Sequence, residues 1–304
     1  MFTALNKGRL ALAAVAVGAS LALAGCASGD PLDEGTTEPG ASDDTIVVGS
    51  QAYYSNEIIA EIYAQALENG GFTVERKFNI GQRDAYLPSL ESGEVDLFPE
   101  YTGNLLQFYS PDTTATKSED VYAELADALP EGLTVLEQSS ATDQDSYNVT
   151  KEFSEANNLT SLADLAGVSD LILGGNAELE TRAYGPTGLK DTYGADVAFD
   201  ATGDTTVESL LAGEVNIANV YSADPRIQTE NLVTLEDPDG LFLASNVVPL
   251  VSTDVADEIA DVINAVSAKL TPGGLIALNV ESTVDEESPD AIATKWLTDN
   301  DLLE

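Results

Sequence analysis

The sequence predicts two similar α/β lobes with mostly parallel central sheets, facing each other across a ligand cleft. Three observations carry this fold class. The chain has 304 residues, more than one compact core usually serves. A strand–helix–strand pattern occurs twice, from Thr45 to Phe78 and again from Leu171 to Phe199. A longer echo, L-x-x-G-E-V-[D/N]-[L/I]-x-x-x-Y, runs from Leu90 to Tyr101 and from Leu210 to Tyr221.

Each element follows from local pattern. Thr45 to Gly49 is a β-branched run closed by Gly, which reads as a buried strand. Ser55 to Asn69 carries Ile58, Ile59, Ile62, Ala66 and Leu67 at helical spacing, and Gly70-Gly71 stops it. Phe72 to Phe78 alternates as a second strand. In the other half Leu171 to Leu173 is a strand and Gly174-Gly175-Asn176 its turn. A helical stretch broken by Gly-Pro follows, then Ala195 to Phe199 as the next strand. The echo itself reads as a helix end, a Gly cap, a short buried strand, and a Tyr just past its carboxyl end.

Ligands in open α/β sheets sit beyond the carboxyl ends of the strands. That rule places Tyr101 and Tyr221 in one cleft, one from each lobe. From Leu250 onward Ile259, Val262, Ile263 and Val266 recur at helical spacing, and Trp296-Leu297 lies in a final helix. This segment is expected to return to the first lobe. The expected boundaries are 45–146 plus 247–304 for lobe 1 and 147–246 for lobe 2.

Composition limits the chemistry. There are 53 Asp and Glu against 12 Lys and Arg, for a formal charge of −41, so a nucleic-acid partner is not expected. With 43% hydrophobic residues the chain is no disordered acidic tail. It has no His and one Cys, which excludes imidazole triads, His-ligated metals and an internal disulfide. A carboxylate or Ser enzyme, a cation-handling protein or a binding protein remains. Several tyrosines without His or Cys make a poor catalytic set and a good cage for a permanent cation. Ring faces attract a quaternary ammonium group, which has no N–H to donate, by about 0.5–2 kcal/mol each. No cofactor or metal is expected.

The N-terminus points to a compartment. Lys7 and Arg9 are the only charges before Asp30, and Leu10 to Ala24 is a short apolar run, so residues 1–25 read as a secretory signal. Leu23-Ala24-Gly25-Cys26 resembles the lipobox of bacterial lipoproteins. That resemblance implies cleavage before Cys26, its acylation, and a lipid-anchored protein on the extracytoplasmic face of the cell membrane. Residues 26–44 then read as the lipidated Cys and a flexible acidic tether.

Other segments carry a second resemblance. Val48-Gly-Ser-Gln51, Gly81 to Tyr86, Gly93-Glu-Val-Asp-Leu-Phe-Pro-Glu-Tyr-Thr-Gly103, Thr181-Arg182 and Tyr221-Ser-Ala-Asp-Pro-Arg226 together resemble the substrate-binding lipoproteins of osmoprotectant ABC importers. The likeness runs from about residue 45 to the end. It implies a type II periplasmic-binding-protein fold that works as a monomer. It also implies capture of glycine betaine, choline, carnitine or proline betaine without catalysis, and delivery to a membrane permease.

Carried over by position, the family's cage falls on Tyr101, Tyr147 and Tyr221, and its carboxylate-gripping Arg on Arg182. Gln51, Asn104, Asp145 and Ser245 occupy further ligand positions. The chain departs from the family at three of these. Gln51 stands where Lys is frequent, Asn104 where Thr is common, and Ser245 where a fourth aromatic is expected. Tyr53, Tyr54 and Phe242 are candidates to complete the cage. Crossovers near Thr142–Thr150 and Ala244–Val251 would let the lobes close by hinge motion. Two other readings stay open. One is a lipid-anchored hydrolase using Glu100 with Asp96 or Asp224; the other is a same-fold receptor for amino acids or metal ions.

Overall fold

The computed structural model describes residues 45–81 and 83–303, so the signal, Cys26 and the tether lie outside the described residues. Ten strands form two five-stranded sheets. The first contains β1 (Thr45–Gly49), β2 (Thr73–Lys77), β3 (Leu97–Tyr101), β4 (Leu133–Val135) and β10 (Val247–Ser252), in the order β2-β1-β3-β10-β4. The second contains β5 (Asp145–Thr150), β6 (Leu171–Gly175), β7 (Val197–Ala201), β8 (Ile217–Tyr221) and β9 (Leu232–Thr234), in the order β7-β6-β8-β5-β9. The sheets are mixed rather than purely parallel. In each, one strand fed from a crossover, β10 or β5, runs against the other four.

The helices are α1 (Tyr54–Asn69), α2 (Arg83–Glu91), α3 (Thr102–Tyr109), α4 (Ser118–Ala128), α5 (Lys151–Asn157), α6 (Pro186–Tyr193), α7 (Thr206–Ala212), α8 (Arg226–Thr229), α9 (Ala256–Lys269), α10 (Pro272–Thr283) and α11 (Pro289–Asp299). Helix α1 buries Ile58, Ile59, Ile62 and Leu67 completely, each contributing about 1.5–3 kcal/mol. They join Ile259, Ile263 and Val266 of α9 and Leu297 of α11 in one core. The C-terminal segment therefore packs on the first sheet's layer, with one addition. Ile276 of α10 joins the apolar cluster of Ile227 and Leu232, and the Asn279 amide donates to the Ala223 carbonyl at 2.9 Å. One predicted strand is displaced: β7 begins at Val197, because Gly194 caps α6 at φ 72° and Ala195 completes the turn by donating to Leu189.

The sequence echo is a structural repeat. Ser89 and Ser209 carbonyls each accept from two successive amides, Glu94 and Val95 in one half, Glu214 and Val215 in the other. Gly93 and Gly213 turn the chain at φ 75° and 74°, a conformation that disfavours a side chain. The next polar side chain then caps the neighbouring strand. Asp96 accepts from the Val47 amide at 2.8 Å, and Asn216 from the Ile172 amide at 2.8 Å. Both segments deliver a Tyr as the last residue of a strand.

Two crossover strands join the sheets and pair with each other. Thr142 bridges Asn246 in antiparallel register, flanked by Ser139–Val247, Val247–Ala141 and Asp143–Ser245 backbone bonds.

Candidate functional site

The carboxyl ends of β1, β3 and β8 and the crossover at Asp143 converge on a cavity of about 390 Å³. Gln51, Tyr53, Arg83, Tyr101, Asn104, Asp143 and Tyr221 line it. It adjoins a second chamber of about 180 Å³, which shares Asn104, Asp143 and Tyr221 and adds Arg182, Asp145, Gln144, Gln107, Tyr184 and Phe242.

Local structure explains each position. The loop after β1 is tied to the loop after β2, with Ala52 donating to Gly81 and Ile80 to Ser50. That places Tyr53 at the rim, where its hydroxyl donates to Asp143 at 3.0 Å. Gln51 is fixed through its amide, which donates to the Asn56 side chain, itself bonded to Pro99. Tyr101 is 4% exposed, in the core below the cavity, whereas Tyr221 is 60% exposed. Burial and the Asp143 charge raise the Tyr101 hydroxyl well above its ordinary value, and burial also raises Tyr221.

Arg83 enters the first chamber but is not free. Glu100, fully buried, receives two bonds of 2.9 Å from its guanidinium, one from the Tyr101 amide, and one from the Tyr86 hydroxyl. Burial pulls the Arg83 pKa down, but this bidentate carboxylate outweighs burial and raises it. The carboxylates of the hydrolase reading are all engaged in the fold. Glu100 holds Arg83, Asp96 holds the Val47 amide, and Asp224 pairs with Arg226 at 2.7 Å. Among the described residues no cluster of three or more acidic or Cys side chains is placed to hold a metal ion.

Asp143 is the odd group. It is 9% exposed, lines both chambers, and one of its oxygens is buried with no hydrogen-bond partner. Burial pushes its carboxyl up to about 6; Asp224 adds to this and the Tyr53 hydroxyl opposes it.

The residues singled out in the sequence divide into two sets. Tyr101, Tyr221, Gln51 and Asn104 line the first chamber, while Arg182 and Asp145 line the second. Asp145 faces Tyr221 across the β5–β8 ladder and accepts from Asn219 at 3.1 Å. Two residues do not reach the cavity. Tyr147 is fully buried beneath it: Phe242 covers its ring edge-to-face at 4.9 Å and its hydroxyl donates to the Tyr184 carbonyl. Ser245 is 1% exposed and braces the walls, its hydroxyl accepting from the Asn104 amide and its own amide donating to Gln144. Helix α3 comes so close to this crossover that a Cβ on Gly103 would lie 2.5 Å from the Ala244 carbonyl.

Of the three cage completions considered, Tyr53 lines the first chamber, Phe242 the second, and Tyr54 neither. Arg83, Asp143 and Tyr184 join the lining without a signal of their own in the sequence. Tyr53 follows the carboxyl end of β1, so the strand-end rule that found Tyr101 also finds it. Asp143 lies only two residues before Asp145.

A cleft of rings and a few matched charges at the strand ends of two α/β halves is the site of a solute-binding protein. The comparisons with known proteins agree. The family model for the substrate-binding domain of ABC-type glycine betaine transport systems matches residues 44–299, and the chain belongs to that family. The glycine betaine-binding protein YehZ of Escherichia coli strain K12 is 28% identical over 272 residues, 83% of this chain and 89% of that protein. The carnitine transport binding protein OpuCC of Listeria monocytogenes is 23% identical over 278 residues, 87% of this chain and 90% of that protein. The structure of apo YehZ from E. coli superposes with a TM-score of 0.75 at 26% identity, over 85% of this chain and 99% of that one. A glycine betaine/carnitine/choline ABC transporter structure shares the fold, with a TM-score of 0.76 at 19% identity over 85% of this chain and all of that one.

Proposed function

We propose that the protein captures a small quaternary-ammonium solute in this tyrosine-lined cleft and delivers it to the permease of an ABC importer. In this reading it is a monomer held on the extracytoplasmic face of the cell membrane by lipid on Cys26. The observation that carries it is the meeting of Tyr101 and Tyr221, last residues of equivalent strands in the two sheets, at one cavity with Tyr53. Three rings at about 0.5–2 kcal/mol each favour a trimethylammonium group over a hydrated ammonium, which would lose its hydrogen bonds to water. Arg182 in the adjoining chamber offers a bidentate donor to a ligand carboxylate.

Calorimetric titration of choline, glycine betaine, carnitine and ectoine tests this. At least one quaternary-ammonium ligand binds with one site per chain. Arg182→Ala weakens carboxylate-bearing ligands more than choline. If the whole panel is silent while an amino acid or a metal ion binds, the reading is wrong.

A further inference from the structure

The charges around the cleft are unevenly matched. Glu100 cancels Arg83, and Arg226 cancels Asp224. Asp145 and Arg182 bring opposite signs to the second chamber. Counted over both chambers one carboxylate is in excess, and among the described residues no Lys or Arg forms an ion pair with Asp143. Its exposure is 9%, the Tyr53 hydroxyl fixes one oxygen, and the other is buried and unpartnered. It lines both chambers.

A buried carboxylate without a counter-charge is costly, and a cation placed beside it lowers that cost. A quaternary ammonium suits the place, because it brings full charge with no N–H to satisfy. The ligand's other end meets a different balance. Arg182 and Asp145 line the second chamber with opposite charges, and Gln51 is a neutral side chain on the wall of the first. A ligand with net charge +1 neutralises the cleft, whereas a zwitterion leaves one negative charge unmatched. We propose that Asp143 is the specificity-determining counter-charge of this cleft, selecting quaternary-ammonium alcohols such as choline over zwitterionic betaines. This inference rests on the quaternary-ammonium reading above and adds which charge class is taken.

The test is the ratio of two affinities, measured by calorimetry at pH 7.5 with choline and glycine betaine on the wild-type chain and on Asp143→Asn. The isosteric amide still accepts from Tyr53 but carries no charge. The wild type binds choline more tightly, by about tenfold or more. Asp143→Asn loses at least about tenfold for choline and changes much less for glycine betaine, so the ratio collapses. A merely structural role would lower both affinities by the same factor, and that result overturns the inference. A wild type that prefers glycine betaine overturns it without any variant, so the test survives poor folding of the mutant. A wild type that binds neither ligand overturns the inference, and the quaternary-ammonium reading falls with it only if carnitine is silent too, which separates the two failures.

Discussion

The two halves reach the cleft through the same backbone device and present different surfaces. Ser89 and Ser209, Gly93 and Gly213, and Asp96 and Asn216 make matching bonds, yet Tyr101 is 4% exposed and Tyr221 60%. The segment after each strand accounts for this. Tyr101 leads directly into α3 and belongs to the buried cluster that includes Ile58, Ala141 and Ala223. Tyr221 leads into the Ser222–Pro225 turn, and its neighbour across the ladder is the acidic Asp145. One ring is a fixed floor set by the fold. The other stands exposed at the cleft.

The comparison breaks most sharply at these rings. Tyr101→Ala removes a buried aromatic and is expected to cost about 3–5 kcal/mol of stability as well as ligand affinity. Tyr221→Ala is expected to leave the melting temperature unchanged and to weaken quaternary-ammonium binding by about 0.5–2 kcal/mol. Thermal denaturation with and without ligand separates the two. Equal melting losses in both variants would mean that the halves do not differ in this way.

Asp143, on the crossover between the rings, gives the next effect. Its folded-state pKa, about 6, lies above the ordinary carboxyl value, so folding favours the protonated form. Its contribution is fully present below about pH 4 and is lost as pH rises through about 6. Asp143→Asn should therefore stabilise the ligand-free protein at pH 7.5 by on the order of 2 kcal/mol, with the gain vanishing near pH 4. Denaturant melts at the two pH values check this. A destabilised mutant at pH 7.5 would show that the ionised carboxylate is a structural asset.

The smallest effect sharpens the likeness of the halves. Gly93→Ala and Gly213→Ala each place a Cβ at positive φ, with nothing near it to clash. Each should cost about 1 kcal/mol, and the two should agree. Unequal values from denaturant unfolding would show that one turn is supported differently.

Much of the architecture is legible in the sequence because it is periodic. Apolar spacing and the glycine caps outline α1, β1 and β6, and the repeated motif finds both tyrosines from one dimension. Pairings between distant segments are not legible. Arg83 looks like any helix-start arginine until Glu100 is folded against it. Asp143 is one of 53 acids, and its burial arises only where two crossovers meet. Tyr147 sits in a motif that points to the cleft, yet Phe242, far along the chain, lies over it. Ser245, read as a gap in the cage, is instead a brace.

The bond from Asn279 to the Ala223 carbonyl reaches beyond packing. Ala223 is two residues from the Tyr221 ring, and Asn279 belongs to a helix with no residue in either chamber. The turn that follows the ring is tied to α10 through this bond. A ligand that moves the Tyr221 turn is expected to change the protection of α10 through this bond. Amide exchange along Pro272–Thr283 becomes a remote gauge of an event that the helix itself never touches.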